Sequence, residues 1–266
     1  MSNLLTVTDL SMAFGGLIAV DHVSFSVKLG SITAMIGPNG AGKTTVFNCL
    51  TRFYNPTSGK IQLTPEPGYA LDLHTLSPYK VAKKARVLRT FQNIRLFGQM
   101  SVLENVLVGQ HSLLMRASSC SVGGLLNLPR YRKAEKDAMD LALFWLDIMG
   151  LKEDANRTAA SLPYGAQRRL EMARCLAGRP RLLCLDEPAA GLNPKESLDL
   201  KNLLKTICYN HGVTIFLIEH DMSVVMDISD HILVLDYGRL LAEGTPAFVR
   251  SHPDVIRAYL GEDAVA

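Results

Sequence analysis

Across residues 4–27 apolar and polar side chains alternate on either side of the Gly15-Gly16 break, the period-two pattern of antiparallel strands with one buried face. Residues 31–36 lose that alternation, as a strand covered on both faces does, and lead through a glycine-rich stretch into residues 43–50, which predict a helix. Ile61-Gln62-Leu63 and the following Thr64-Pro65-Glu66-Pro67-Gly68 predict a long exposed hairpin or loop. Ser101-Val102-Leu103-Glu104 has the capping-box form that opens a helix. Small and turn-forming residues at 117–130 predict a loop. Residues 131–149 then place Ala138, Leu141, Ala142, Trp145, Ile148 and Met149 at helical spacing before Gly150 stops the run, with Trp145 read as core packing. Two further apolar runs without alternation, 182–185 and 213–218, read as buried parallel strands. Between them, residues 194–210 carry Leu198, Leu200, Leu203, Leu204 and Ile207 and predict the crossover helix of a βαβ unit.

These elements predict an α/β chain: a nucleotide-binding core with a mainly parallel sheet, an antiparallel β subdomain at its N-terminus and an inserted α-helical subdomain. The expected boundaries are 1–99 with 181–250 for the core, 100–180 for the helical insert and 251–266 for a tail, whose residues 253–260 suit a short amphipathic helix. With 48% hydrophobic residues in 266, the chain builds a sizeable core without disulfides. Its 28 basic and 25 acidic residues are spread along the sequence, leave a net charge of +3 and make no nucleic-acid footprint. The N-terminus lacks a signal-peptide pattern and no run approaches the roughly 20 apolar residues of a membrane span, so a cytoplasmic chain is expected. Cys49, Cys120, Cys175, Cys184 and Cys208 form no CxxC pair and read as reduced core thiols.

The candidate chemistry starts at Gly37-Pro38-Asn39-Gly40-Ala41-Gly42-Lys43-Thr44, where a strand turns sharply into a helix. Such a turn aims unpaired backbone N–H groups and the positive helix terminus at one spot, which suits the phosphates of ATP or GTP. Gly37, Gly40 and Gly42 permit positive φ and close approach, Lys43 neutralises β- and γ-phosphates, and Thr44 offers a hydroxyl to Mg²⁺. The run 182–185 ends in Asp186-Glu187, two carboxylates at the edge where open α/β sheets bind ligands. Asp186 suits Mg²⁺, held through water or with Thr44, and Glu187 suits the base that activates water at the γ-phosphate. The run 213–218 ends in Glu219-His220-Asp221, which puts a histidine able to donate to a γ-phosphate oxygen, and to contact the base, at the same edge.

Taken in order, these segments resemble the nucleotide-binding subunit of an ATP-binding cassette (ABC) transporter along nearly the whole chain. Residues 37–45, through Thr45, match its Walker A loop, Gln92 in Thr90-Phe91-Gln92 its Q-loop, and Leu162-Pro163-Tyr164-Gly165-Ala166-Gln167 its signature. Residues 182–187 match Walker B, Ala190-Gly191-Leu192-Asn193 the D-loop, and His220 the switch histidine. The resemblance implies that Gln92 joins Asp186 and Thr44 at Mg²⁺ and serves hydrolysis with Glu187 and His220. It implies that Phe14 stacks on adenine, and that Tyr164, Gly165 and Gln167 face the nucleotide of a second subunit in a head-to-tail dimer. The signature departs from the usual Leu-Ser-Gly-Gly-Gln: Pro163 supplies neither a hydroxyl nor an N–H, so two donors to the γ-phosphate are missing.

The wording of residues 89–97, 162–165, 187–194, 218–222 and 254–261 is similar to the ATPases of bacterial branched-chain amino-acid importers. That similarity implies a subunit peripheral on the inner face of the cell membrane. Its partners would be two transmembrane permease subunits, a second ATP-binding subunit and, through the complex, a periplasmic binding protein. Related cassettes that serve amide, urea or lipopolysaccharide systems, and a soluble cassette acting on nucleic acid or ribosomes, stand as alternatives. The latter is opposed by the single Walker A and the lack of a coiled-coil heptad stretch. A small-molecule P-loop kinase has no use for the signature or the His220 strand end.

Overall fold

The N-terminal alternation becomes two long antiparallel strands, β1 (Asn3–Phe14) and β2 (Leu17–Lys28), with Gly15 at φ 60° in the turn between them. The computed structural model describes residues 2–117 and 129–260, and the chain divides into two units, Met1–Arg89 with Arg181–Ala266, and Thr90–Pro180. The loop expected at 117–130 falls mostly on residues outside that description, as does Cys120.

In the first unit β1 and β2 are joined by β4 (Ser58–Glu66) and β5 (Tyr69–Asp72) into an antiparallel sheet of order β2-β1-β4-β5. The stretch at 64–68 is thus the end of β4 and the two-residue turn Pro67-Gly68 of a hairpin, with Gly68 at φ 82°. A second sheet runs β10-β9-β3-β8-β7-β6, formed by β3 (Ile32–Ile36), β6 (Val87–Arg89), β7 (Leu182–Asp186), β8 (Thr214–Ile218), β9 (His231–Asp236) and β10 (Arg239–Gly244). Its pairs are parallel except at the β10 edge. Every residue of β3, β7 and β8 is buried, which is why their sequences show no alternation. Helix α1 (Lys43–Leu50) follows β3. Phe216 of β8 lies 5.6 Å from Phe25 of β2 and 5.0 Å from Phe47 of α1, so three aromatic rings pin the two sheets and the helix into one core.

In the second unit Ser101 caps α2 (Val102–Val108) in a complete capping box with Glu104. The helices α3 (His111–Ala117), α4 (Pro129–Ile148) and α5 (Tyr164–Ala177) follow, and Trp145 of α4 is buried. Helix α4 begins two residues before the predicted start, since Pro129 fits a first helical position. Helix α5 opens at Tyr164, with Pro163 as its N-cap, so Gly165 lies inside its first turn.

The division between the units falls between Arg89 and Thr90, not between Gln99 and Met100 as the capping box suggests. The cause is tertiary: the Phe91 carbonyl accepts from Arg168 at 3.0 Å and the Arg95 amide donates to Glu171 at 3.2 Å, both on α5. The segment carrying Gln92 is therefore tied into the helical unit.

The first unit resumes after β7 with α6 (Pro194–Lys205), on which Leu200 and Leu204 are buried and Leu198 is exposed. Asp221 caps α7 (Met222–Ile228) by accepting from the Ser223 amide at 2.8 Å, and its carboxyl pKa is held down first by the Ser223 side chain and then by the backbone amides of the cap. The helix expected at 253–260 is α9 (Pro253–Leu260), preceded by α8 (Pro246–Ser251); both belong to this unit, and Val249 and Val255 are buried. Cys49, Cys175, Cys184 and Cys208 are buried thiols, and desolvation pushes Cys175 and Cys208 up to about 12.

Candidate nucleotide site

Strand register brings the chemistry of the first unit to one edge. Ile218 of β8 pairs with Met35 on one side and Asp186 on the other, so the carboxyl ends of β3, β7 and β8 lie level. The glycine loop, Glu187 and His220 leave the sheet from those three ends.

The loop from Gly37 to Gly42 is conformationally demanding. Gly37, Gly40 and Gly42 have φ of 152°, 83° and 98°. A Cβ at Gly37 would lie 2.1 Å from the Leu235 carbonyl oxygen and one at Gly42 would lie 2.4 Å from that of Ala19, so glycine is required by space as well as by angle. Gly42 caps α1 without any side-chain acceptor, leaving the first-turn amides to an external anion. Asn39, Gly40 and Thr44 are exposed, Pro38 and Thr45 half-buried, and Ala41 buried.

Lys43 is buried, and its Nζ donates to the Gly37 and Pro38 carbonyls at 2.7 and 2.9 Å. Burial pushes its ammonium pKa down, while the Glu187 and Asp186 carboxylates oppose the shift. The cradle thus carries positive charge, unpaired donors and two nearby carboxylates, which fits a triphosphate with a counter-cation. Among the described residues no cluster of three or more His, Cys, Asp or Glu could hold a metal by itself. One carboxylate, one hydroxyl and the phosphates themselves suit Mg²⁺ better than such a cage.

Asp186 is 3% exposed, and its Oδ2 lies 2.5 Å from Arg89 Nη2 at the end of β6. Arg89 also donates to Asn48 Oδ1 of α1 at 2.6 Å and lies over the Phe47 ring at 5.4 Å. No sequence motif marks Arg89 for a role; it is a lone cation closing the triplet Val87-Leu88-Arg89 beside buried strands. Arg89→Ala should lower folding stability by about 3–5 kcal/mol, because it takes the guanidinium of a buried ion pair away from Asp186. Denaturant midpoints of the two proteins measure it.

Glu187 has φ 47°, a left-handed conformation that costs a Cβ-bearing residue about 1–3 kcal/mol. Its amide donates to the Ile218 carbonyl at 2.9 Å and its carbonyl accepts from Ala190 at 3.2 Å. His220 Nδ1 lies 3.9 Å from Glu187 Oε2, an approach wider than a hydrogen bond, and the imidazole is mostly exposed. Phe14, which the resemblance places against adenine, is exposed at the end of β1, its ring edge-on to Tyr54 with centroids 5.1 Å apart. The loop also borders an open cleft of about 610 Å³, lined by Asn39, Gly40, Tyr237, Asp254 and Arg257.

The remaining predicted residues lie in the second unit. Gln92 lies near its start, two residues after Thr90, where the unit begins. Tyr164 is half-exposed, its hydroxyl accepting from Arg168 at 3.1 Å, and Gly165 is buried. The Gln167 side-chain amide donates to the Leu162 carbonyl at 2.8 Å, folding back onto the signature segment. No side chain caps α5, so its N-terminus also carries unpaired donors.

A glycine loop between a central parallel strand and a helix, with an acidic strand end beside it, defines a P-loop nucleotide-binding domain. Residues 20–190 match the ABC transporter family, and residues 239–265 match the family described as branched-chain amino acid ATP-binding cassette transporter. The chain belongs to the ABC transporter family, as one of its ATP-hydrolysing cassettes. It is 53% identical to the high-affinity branched-chain amino acid transport ATP-binding protein BraF of Pseudomonas aeruginosa over 259 residues, 97% of this chain and 98% of that protein. It is 52% identical to the protein of the same description, LivG, of Escherichia coli over the same shares. Among solved structures, the ADP conformation of MJ1267, an ATP-binding cassette of an ABC transporter, has a TM-score of 0.82 at 29% identity and covers 98% of this chain and 100% of its own.

Proposed function

We propose that this chain is the ATP-hydrolysing subunit that energises an importer of branched-chain amino acids. The observation that carries the reading is identity of 52–53% across nearly full length to two cassettes so described, joined by a match of residues 239–265 to a family of the same description. No described helix is long and apolar enough to cross a membrane, so membrane attachment falls to partners: two permease subunits, with a second ATP-binding subunit and a periplasmic binding protein in the assembly. The chain then sits on the cytoplasmic face.

In this reading the loop amides of residues 37–45 and Lys43 bind the phosphates, and exposed Phe14 stacks on the base. Asp186, Thr44 and Gln92 hold Mg²⁺, which when bound shields the phosphate charge. Glu187 accepts the proton of the attacking water, and His220 donates to the γ-phosphate. Tyr164, Gly165 and Gln167 meet the partner's nucleotide across a head-to-tail dimer. Contacts to the γ-phosphate exist with ATP and not with ADP, so hydrolysis removes what holds the dimer closed and the permeases follow that population shift. With Pro163 in place of a serine, the signature relies on the α5 terminus, and this half-site stabilises closure less.

The test is reconstitution of the purified complex in lipid vesicles. Leucine, isoleucine or valine, presented with the binding protein, should raise the ATPase rate. A rate raised by urea, an amide or lipopolysaccharide instead would transfer the chain to one of those systems.

A further inference from the structure

Glu219 ends the apolar run of β8 as a fully buried carboxylate. Buried acids are costly unless their oxygens are used, and here both are. Oε1 accepts from the Ala189 amide at 2.7 Å, two residues beyond Glu187, and Oε2 accepts from the His220 amide at 3.2 Å. The Glu219 amide itself lies 3.4 Å from the Met35 carbonyl of β3, the strand that leads into the glycine loop. Burial raises the carboxyl pKa, and the two amides pull it back.

The turn that Glu219 grips is the strained one. Glu187 keeps its left-handed φ of 47° only because its neighbours fix it: Ile218 accepts its amide, Ala190 donates to its carbonyl, and Glu219 takes the amide between them in sequence. The two oxygens of one carboxyl group are rigidly joined, so a displacement of the Ala189 turn is felt at His220 and the reverse. The side chains of Glu187 and His220 stand 3.9 Å apart with no direct hydrogen bond between them, and the coupling therefore runs through the backbone.

We propose that Glu219 is a positioning residue whose carboxylate locks the Glu187 turn and the His220 backbone into one register. The proposal rests on the ATPase reading above for its consequence but not for its geometry. Glutamine keeps the size and loses the symmetry: one acceptor remains, and the –NH₂ group meets an N–H donor.

The test is Glu219→Gln in the full chain. ATP affinity, measured with labelled ATP, should stay within about twofold of wild type while the turnover number falls at least about tenfold. In wild-type protein labelled with ¹⁵N-alanine, the Ala189 amide should exchange slowly with solvent and shift in resonance on the Glu219→Gln change. An unchanged turnover number, a parallel loss of affinity and turnover, or a fast-exchanging Ala189 amide in the wild type overturns the proposal. If Glu219→Gln does not fold, the wild-type exchange rate decides alone. If wild-type protein hydrolyses no ATP, the ATPase reading fails, and the Ala189 amide still reports on the lock.

Discussion

Glu187→Gln is expected to bind ATP as tightly as wild type and to release phosphate at least about a hundredfold more slowly, the lower end of what a general base contributes. The expectation follows from where the residue stands. Strand β7 is buried along its length, so its carboxyl end is rigid, and the first residue beyond it is turned by a φ of 47° out of the strand direction. Hydrogen bonds to Ile218 and from Ala190 hold that turn, and glutamine makes the same backbone bonds. The change therefore removes a proton acceptor and little else. Filter binding with labelled ATP and a phosphate-release assay, run on the same preparation, separate the two effects. Phosphate release equal to wild type would take the role of base away from Glu187.

Lys43→Ala is expected to fail one step earlier, at nucleotide binding. Without nucleotide the ammonium is buried and held by the Gly37 and Pro38 carbonyls, so it is already placed in the loop's concavity. Removing it costs about 1.5–3 kcal/mol per charge-assisted bond to phosphate, which is a loss of roughly 10- to 100-fold in affinity. Alanine also leaves the Gly37 and Pro38 carbonyls without the ammonium that donates to them. The fold should survive, because the aromatic core of Phe25, Phe47 and Phe216 does not depend on the lysine. Equilibrium binding titrations with circular dichroism as the control measure both. Wild-type affinity would show that the phosphates bind elsewhere.

Most of this site was legible in the sequence because its chemistry sits where patterns change. A strand without alternation, then three glycines, then Lys43 opening a helix, can only be a sharp turn with free amides, and the structure has that turn with φ values available to glycine. The carboxyl edge was legible for the same reason: apolar runs that stop in charged residues mark strand ends. What escaped was long-range pairing. Arg89 and Asp186 are ninety-odd residues apart and adjacent in space, and nothing in the spacing of either announces the other. Glu219 looked like the end of a strand and is a buried acceptor for two turns. The limit between the units was misplaced because the capping box at Ser101 is a strong local signal, while the bonds from Arg168 and to Glu171 that tie residues 91–95 to α5 are tertiary.

The proposed activity requires a triphosphate held at the glycine loop and cut by water. Incubating the full chain, assembled with its membrane partners, with Mg²⁺ and ATP carrying a labelled γ-phosphate tests it most directly. Label should appear as inorganic phosphate at a rate that vanishes in Glu187→Gln, with ADP as the other product. Label that stays on ATP, or that moves to another acceptor molecule, would contradict it.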